Sequence, residues 1–199
     1  MREAIVGLQK FRSERGEHAG LLLQRYLAKA ATGKEGDPDE KRDLLHAAIR
    51  AAACQNDERA SPYPAAFRRW QKSLPAGHIA KEFETDGRLI VGLGVENVLE
   101  TGITLHHTYG MPIIPGSALK GLAAHYCDQV WSRGDSRFKK PTAEEDKAYR
   151  EYLAGKGPAP EPNYHRLLFG TTDDGGCIVF HDAWFVPQSA LQPLCQDHR

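Results

Sequence analysis

The sequence predicts an α+β fold, on three observations. Helical periodicity fills the chain to about residue 75, and from about residue 79 the composition shifts to the Phe, Leu, Ile and Val of strands. Between the two kinds of signal, a Pro- and Gly-rich loop runs straight into an amphipathic helix, giving a strand–loop–helix at the centre. The organisation expected is a helical N-terminal part, 1–78, packed on a core over 79–199. That core carries a helical and basic insertion at about 132–163.

Taken in order, "AGLLLQRYLAKAA" places Leu22, Leu23, Tyr26, Leu27 and Ala30 on one helical face. "DPDEKRDLLHAAIRAAACQ" opens with Asp37 as N-cap, Pro38 at the first helical position and Glu40 at the third, an arrangement suited to the orphan N–H groups of a helix start. "TGKEGDP" between them reads as a turn or loop, and "SPYPAAFRRWQKSLPAG" as a proline-punctuated basic and aromatic segment. "IAKEFETDGRLIVGLG" reads as strands around a "TDG" turn, with further extended pieces at 98–105 and in "MPIIPG". The helix signal is clearest at Leu119, Leu122, Ala123, Tyr126, Cys127 and Val130, with Gly116 or Ser117 at its N-cap. The insertion holds "SRGDSRFKKP", a helix opened by the capping box Thr142 and Glu145, and a proline-rich loop. "YHRLLFG" is a helical turn stopped by Gly170, "TTDDGG" a turn, and "CIVFHDAWFV" a strand apolar on both faces and hence an inner one. Strong strand signals number only two or three, few for a stable sheet, so part of the sheet is expected either to be missing from this chain or to be supplied by a partner.

Composition narrows the function classes. Across 199 residues, 26 Lys and Arg balance 26 Asp and Glu, so no global basic field draws nucleic acid, and any such binding is local or belongs to an assembly. The four cysteines, Cys54, Cys127, Cys177 and Cys195, show no CxxC spacing, which argues against a disulfide framework or a zinc site. "REAIVGLQKF" after Met1 is too short and too charged for a secretory signal, and no apolar run reaches membrane length; the chain reads as cytoplasmic.

The stretch "HHTYGMPIIPGSALKG" concentrates the candidate chemistry. A Pro-Gly turn delivers backbone to a helix start, where free N–H groups and the positive dipole end suit a phosphate; Gly116 and Gly121 allow close approach and Lys120 adds a cation. The same residues also serve a plain strand-to-helix turn, with glycines for positive φ and the lysine in solvent. A P-loop is excluded because Lys120 precedes Gly121 and no Ser or Thr follows it. "GLGVENVLETG" lacks the third glycine of a dinucleotide fingerprint. His106 and His107 are candidates for general acid and base, yet on an extended segment they point to opposite faces; His107 and Tyr109 suit stacking on or hydrogen bonding to RNA better. "HDAW" lacks the further ligands of a metal phosphohydrolase, and His125 with Cys127 lies on different faces of a helix. Two basic clusters interleave with aromatics: Arg68, Arg69 and Lys72 around Trp70, and Arg133, Arg137, Lys139 and Lys140 around Phe138. Both patterns suit single-stranded RNA, or simply a solvated surface.

"GLGVENVLETGITLHHTYGMPIIPGSALKGLAAHY" followed by "LLFGTTDDGGCIVFHDAWFV" resembles the RAMP superfamily of CRISPR-associated proteins, and within it the sixth-subunit family of the Cmr (type III-B) effector complex. The motifs stand in that family's order over roughly residues 88–186; the helical N-terminal part carries no signature. The resemblance implies a ferredoxin-like (RRM-type) fold with insertions, in a non-catalytic subunit that helps hold guide RNA and target RNA near the guide's 3′ end. Partners would be both RNAs and the other RAMP subunits of a Cmr-type complex, with no cofactor, metal or membrane. On that basis Gly116, Ser117, Lys120 and Gly121 contact RNA backbone beside His107 and Tyr109. Arg133, Arg137 and Lys139 would form a second contact or a subunit interface. Two departures stand out: Ala124 occupies a position where the family commonly has an arginine, and the family's sheet usually continues beyond "HDAW", so the core is expected to be incomplete at its C-terminus. Two other readings remain open: a metal-independent endoribonuclease that trims guide RNA through His106 or His107, and a protein scaffold with little RNA contact.

Overall fold

The structure, a computed structural model, describes residues 18–25, 38–57, 61–94, 102–189 and 193–194. Six α-helices are described: α1 (Ala19–Arg25), α2 (Pro38–Gln55), α3 (Tyr63–Ser73), α4 (Gly116–Gln129), α5 (Ala143–Leu153) and α6 (Tyr164–Phe169). Two short strands, β1 (Ile113–Ile114) and β2 (Ala183–Trp184), pair in a two-stranded sheet. The chain divides into two compact units, Met1–Ile113 with Trp184–Arg199, and Ile114–Ala183.

In the first unit α1 packs on α2 through small residues. Ala19 and Leu23 of α1 meet Leu44, Ala48, Ala51 and Ala52 of α2, all buried and spaced so that each set lies on one helical face. Alanines lack the bulk that would hold the backbones apart, and Met111 and Tyr63 complete this core. Fully burying Met111, at 0% exposure, contributes about 2 kcal/mol. His18 opens α1: its carbonyl accepts from Leu22 N at 3.0 Å and its Nδ1 from Leu21 N at 3.1 Å. The imidazole proton therefore sits on Nε2, which donates to the His107 carbonyl at 2.8 Å. That bond holds a tight turn in which Gly110 N donates to His106 O and His106 N to Met111 O, both at 2.7 Å, with Leu105 bridged antiparallel to Pro112. Gly110, at φ +65°, lies so close to His18 and Ala19 N that a β-carbon has no room there.

In the second unit α4 follows Pro115 and ends where Val130 N bonds Tyr126 O at 2.8 Å. Two short 3₁₀ turns, Trp131–Arg133 and Ser136–Phe138, fold back on it. Buried Cys127 donates to Phe138 O at 3.4 Å, and Asp128 accepts from Lys140 N at 2.7 Å, which holds its carboxyl below the usual range. Both halves of the Thr142–Glu145 capping box form at the start of α5. Asn163 caps α6, accepting from Arg166 N at 2.7 Å, and Gly170 ends it at φ +74°. The buried Arg166 reaches back to Asp146 at 2.8 Å and lies 4.3 Å above the Tyr149 ring. A lone buried guanidinium would be costly; the carboxylate and the ring face between them satisfy it.

Several expectations hold and others do not. Pro38 begins α2 as the spacing predicted, while its expected cap, Asp37, and the helix residues Tyr26, Leu27 and Ala30 lie outside the described residues. α4, its neighbour α5 and the Gly170 stop form where expected, although Pro115, not Gly116 or Ser117, stands at the N-cap of α4. "TTDDGG" is a turn, closed by Thr171 N to Asp174 O at 2.8 Å. The segment read as proline punctuation is instead α3, with Pro62 at the N-cap and Pro64 within the first two helical positions, where a missing N–H costs nothing. The strands expected in "IAKEFETDGRLIVGLG" do not form: residues 78–92 are irregular, with Ile79 88% and Phe83 86% exposed. "CIVFHDAWFV" is a strand only at Ala183–Trp184, and Val179 is exposed. Both segments have strand-like composition but no neighbouring ladder to bond among the described residues, and β-propensity acts largely through such neighbours. The result is mixed helices with a two-residue-long sheet, an α+β composition.

Candidate functional site

At the start of α4, Ala118 N and Leu119 N donate to Pro115 O at 2.9 and 3.2 Å, leaving the first two N–H groups of the helix to find other partners. Gly116 N donates to the Asp182 carboxylate at 2.7 Å, an acidic side chain placed where the helix dipole is positive. Gly116 is buried, and its α-carbon lies so close to the Phe180 carbonyl that any side chain would collide with it. The glycine is thus required by the fold. Ser117 is exposed and Lys120 half-buried, and neither has a hydrogen-bond or ion-pair partner among the described residues. Gly121 is exposed with open space above it. Ser117, Lys120 and Gly121 therefore gather in the first turn and a half as a hydroxyl, an uncommitted cation and a bare stretch of backbone, which together can accept a phosphate and its sugar.

In the first unit the paired histidines part company through a turn, not through an extended segment. His106 turns inward: its ring centroid is 4.9 Å from Tyr109 and 4.5 Å, edge-on, from Trp184, and its Nδ1 accepts from Thr108 N at 3.1 Å. His107 is exposed, with its carbonyl held by His18. Tyr109 is half-buried against Tyr63, at 5.6 Å edge-on, so most of its ring serves packing. The two histidines are not arranged as an acid–base pair across a common point. Among the described residues no group of His, Cys, Asp and Glu could hold a metal ion, and no helix is long and apolar enough to cross a membrane.

The basic insertion is divided. The Arg137 guanidinium donates three hydrogen bonds to the Asp135 carboxylate, at 3.0, 3.1 and 2.7 Å, and lies 4.4 Å over the Tyr164 ring. The same pairing holds the Asp135 carboxyl below its ordinary range. Arg133 and Lys139 are exposed and have no ion pair among the described residues. Ala124, where an arginine was expected, is half-buried in α4, and its carbonyl faces the His165 ring of α6.

Sequence reasoning missed Asp182 as the partner of Gly116, although "HDAW" was noticed for its His-Asp pair. It also missed the aromatic assembly of Tyr63, Phe67, Trp70, His106, Tyr109 and Trp184, whose members come from three separate stretches of chain. The available signal was the Tyr63, Phe67, Trp70 spacing, a helical i, i+4, i+7 row that only needed α3 to be recognised.

Comparison with known proteins gives two matches. The model of the RAMP superfamily matches residues 82–195, more than half of the chain. The CRISPR system Cmr subunit Cmr6 of Pyrococcus furiosus is 55% identical in a match that covers 53% of this chain and 39% of that protein. The chain thus spans about two fifths of the length of the curated relative it matches.

Proposed function

The chain belongs to the RAMP superfamily, and from that premise we propose that it is a non-catalytic, RNA-binding backbone subunit of a type III-B CRISPR ribonucleoprotein. It holds guide RNA and target RNA near the guide's 3′ end, in the cytoplasm, in antiviral defence. Its partners are the RNAs and neighbouring Cmr subunits, the latter taken over from the name of the Cmr6 relative. Its described helices and two-stranded sheet belong, on this reading, to a ferredoxin-like (RRM-type) core whose sheet is completed on assembly.

The observation that supports this best is the open start of α4. Ser117 and Gly121 face solvent, and the Lys120 ammonium has no ion-pair partner among the described residues. Such a surface reads backbone and shape, which suits a subunit whose sequence specificity comes from base pairing by the guide. His106, packed into the aromatic assembly, and His107, exposed and apart from it, give little support to the endoribonuclease reading. The exposed apolar row of Leu122 and Tyr126 on α4 and Val130 at its C-cap favours a scaffolding contribution beside RNA binding.

The test is a salt titration of binding to a labelled single-stranded guide RNA, by wild type and Lys120→Ala, alone and with neighbouring subunits, with the RNA's integrity checked on the same samples. Lys120→Ala flattens the slope of log K against log salt by about one, and the RNA stays intact. An unchanged slope removes Lys120 from the site. Metal-independent cleavage by the chain alone overturns the non-catalytic role and makes His106 and His107 the residues to replace.

A further inference from the structure

Within the first unit, three near-parallel rings lead from the core toward the surface. Tyr63 is 1% exposed; Trp184 lies 5.9 Å from it at 14°, and Trp70 lies 5.1 Å from Trp184 at 10°. Tyr63 and Trp70 are two turns apart on α3, about 10.5 Å along the axis, so Trp184 fits between them. Contacts with Phe185, Phe67 and His106 hold the stack in place. Tyr63 Oη donates to Phe185 O at 2.6 Å, Phe67 fills the turn between the two outer rings, and His106 meets Trp184 edge-on. Trp70 is thereby fixed in orientation while only partly buried, at the outer end of the stack. Arg69 stands one position before it and Lys72 two positions after it on α3, toward other faces of the helix; both are exposed and both lack an ion pair among the described residues.

We propose that Trp70, with Arg69 and Lys72, is a second RNA contact, in which an unpaired base of single-stranded RNA stacks on the indole and the two cations take neighbouring phosphates. The inference rests on the RNA-binding reading but uses none of the residues at the start of α4. An indole already held in place loses little freedom when a base lands on it, and base–aromatic stacking is tolerant of sequence because every base has a π face. The two cations favour an anionic chain over a neutral apolar partner. A protein with no net charge gains from such a local combination, because it has no long-range field to rely on.

The test uses the full chain, with and without neighbouring Cmr subunits, and two fluorescein-labelled single-stranded RNAs of one length, one of them with abasic sites replacing a run of bases. Wild type prefers the base-bearing RNA. Trp70→Leu weakens binding about tenfold, the loss of one base stack, and abolishes the preference, whereas Trp70→Phe keeps part of both. The double variant Arg69→Ala/Lys72→Ala keeps the preference and lowers the salt slope by about 1.4. Far-UV circular dichroism checks that each variant is folded. The Trp70 contact is overturned, and the α4 site left standing, if Trp70→Leu retains the base preference while Lys120→Ala still flattens the salt slope. A Trp70→Leu protein that binds RNA normally but loses a neighbouring subunit makes this face a protein interface and overturns the proposal too. Absence of RNA binding by wild type under every condition overturns both readings together.

Discussion

At the start of α4 the backbone N–H of Gly116 already has an anion beside it, the Asp182 carboxylate at 2.7 Å. Like charge repels phosphate, so the carboxylate both caps the helix and limits how much negative charge the adjoining Ser117 and Lys120 can hold. Asp182→Asn keeps an acceptor for Gly116 and removes the charge. It should cost at most about 1 kcal/mol of stability, since the residue is exposed and the bond survives in neutral form. At low salt it should strengthen RNA binding a few-fold. Thermal melts with RNA titrations of the same protein check both parts; weaker RNA binding would mean that Asp182 acts by positioning the loop. Two of the site's residues thus have different origins. Lys120 was legible from sequence as a free cation on a helix start, whereas the role of Asp182 depends on a contact across 66 positions, which no local pattern records.

The helices were legible because each carries its own evidence: periodicity, a cap and a stop. α5 shows this fully, from Thr142 and Glu145 at its start to the matching hydrogen bonds. Strands carry no such self-contained signal. "IAKEFETDGRLIVGLG" has the right composition, but its pairing depends on something beyond the segment itself. Between elements, α6 is held to α4 partly by His165, which is buried, lies tilted against Phe169 at 5.0 Å and has an Nδ1 with no hydrogen-bond partner. Burial lowers its pKa from the usual 6.5, outweighing the Ala124 carbonyl and the Asp128 charge, which raise it; Lys140 lowers it further. Above pH 6.5 the imidazole is neutral in both folded and unfolded chains, and the packing is undisturbed. As pH falls below 6.5 the unfolded chain binds the proton first, so stability declines with acid until the folded pKa is passed. The paired carboxylates Asp128, Asp135 and Glu145, all lowered, lose their contribution only at more acidic pH, below the ordinary carboxylate range. Melting temperatures measured downward from pH 7 should therefore fall already near pH 6 in wild type. His165→Gln, which cannot gain that charge, should stay flat in the same window whatever its absolute stability. A wild-type curve level down to the carboxylate range would rule out His165 as an acid-sensitive contact.

For the molecule as a whole, equal numbers of acidic and basic residues mean that like-charge repulsion does little to keep copies apart. Its exposed apolar side chains then decide how it behaves in solution. In the first unit Ile79, Phe83, Leu89, Ile90 and Leu93 are all more than half exposed, and most of them sit in an irregular stretch whose composition is that of strands. Backbone of that kind, without a ladder, offers its N–H and C=O groups to other chains. An assembly subunit tolerates this because its neighbours cover the surface; on its own the chain should self-associate. The double change Ile79→Ser/Phe83→Ser isolates the effect, since side chains 88% and 86% exposed contribute almost nothing to the isolated fold. It should leave the melting temperature unchanged to within about 0.5 kcal/mol of stability while shifting the protein toward monomer in light scattering after gel filtration. Added neighbouring subunits should suppress self-association of the wild type to the same extent. If the change instead lowers stability by several kcal/mol, residues 78–92 pack within the isolated chain. In that event these side chains are covered internally, and the covering partner is unnecessary.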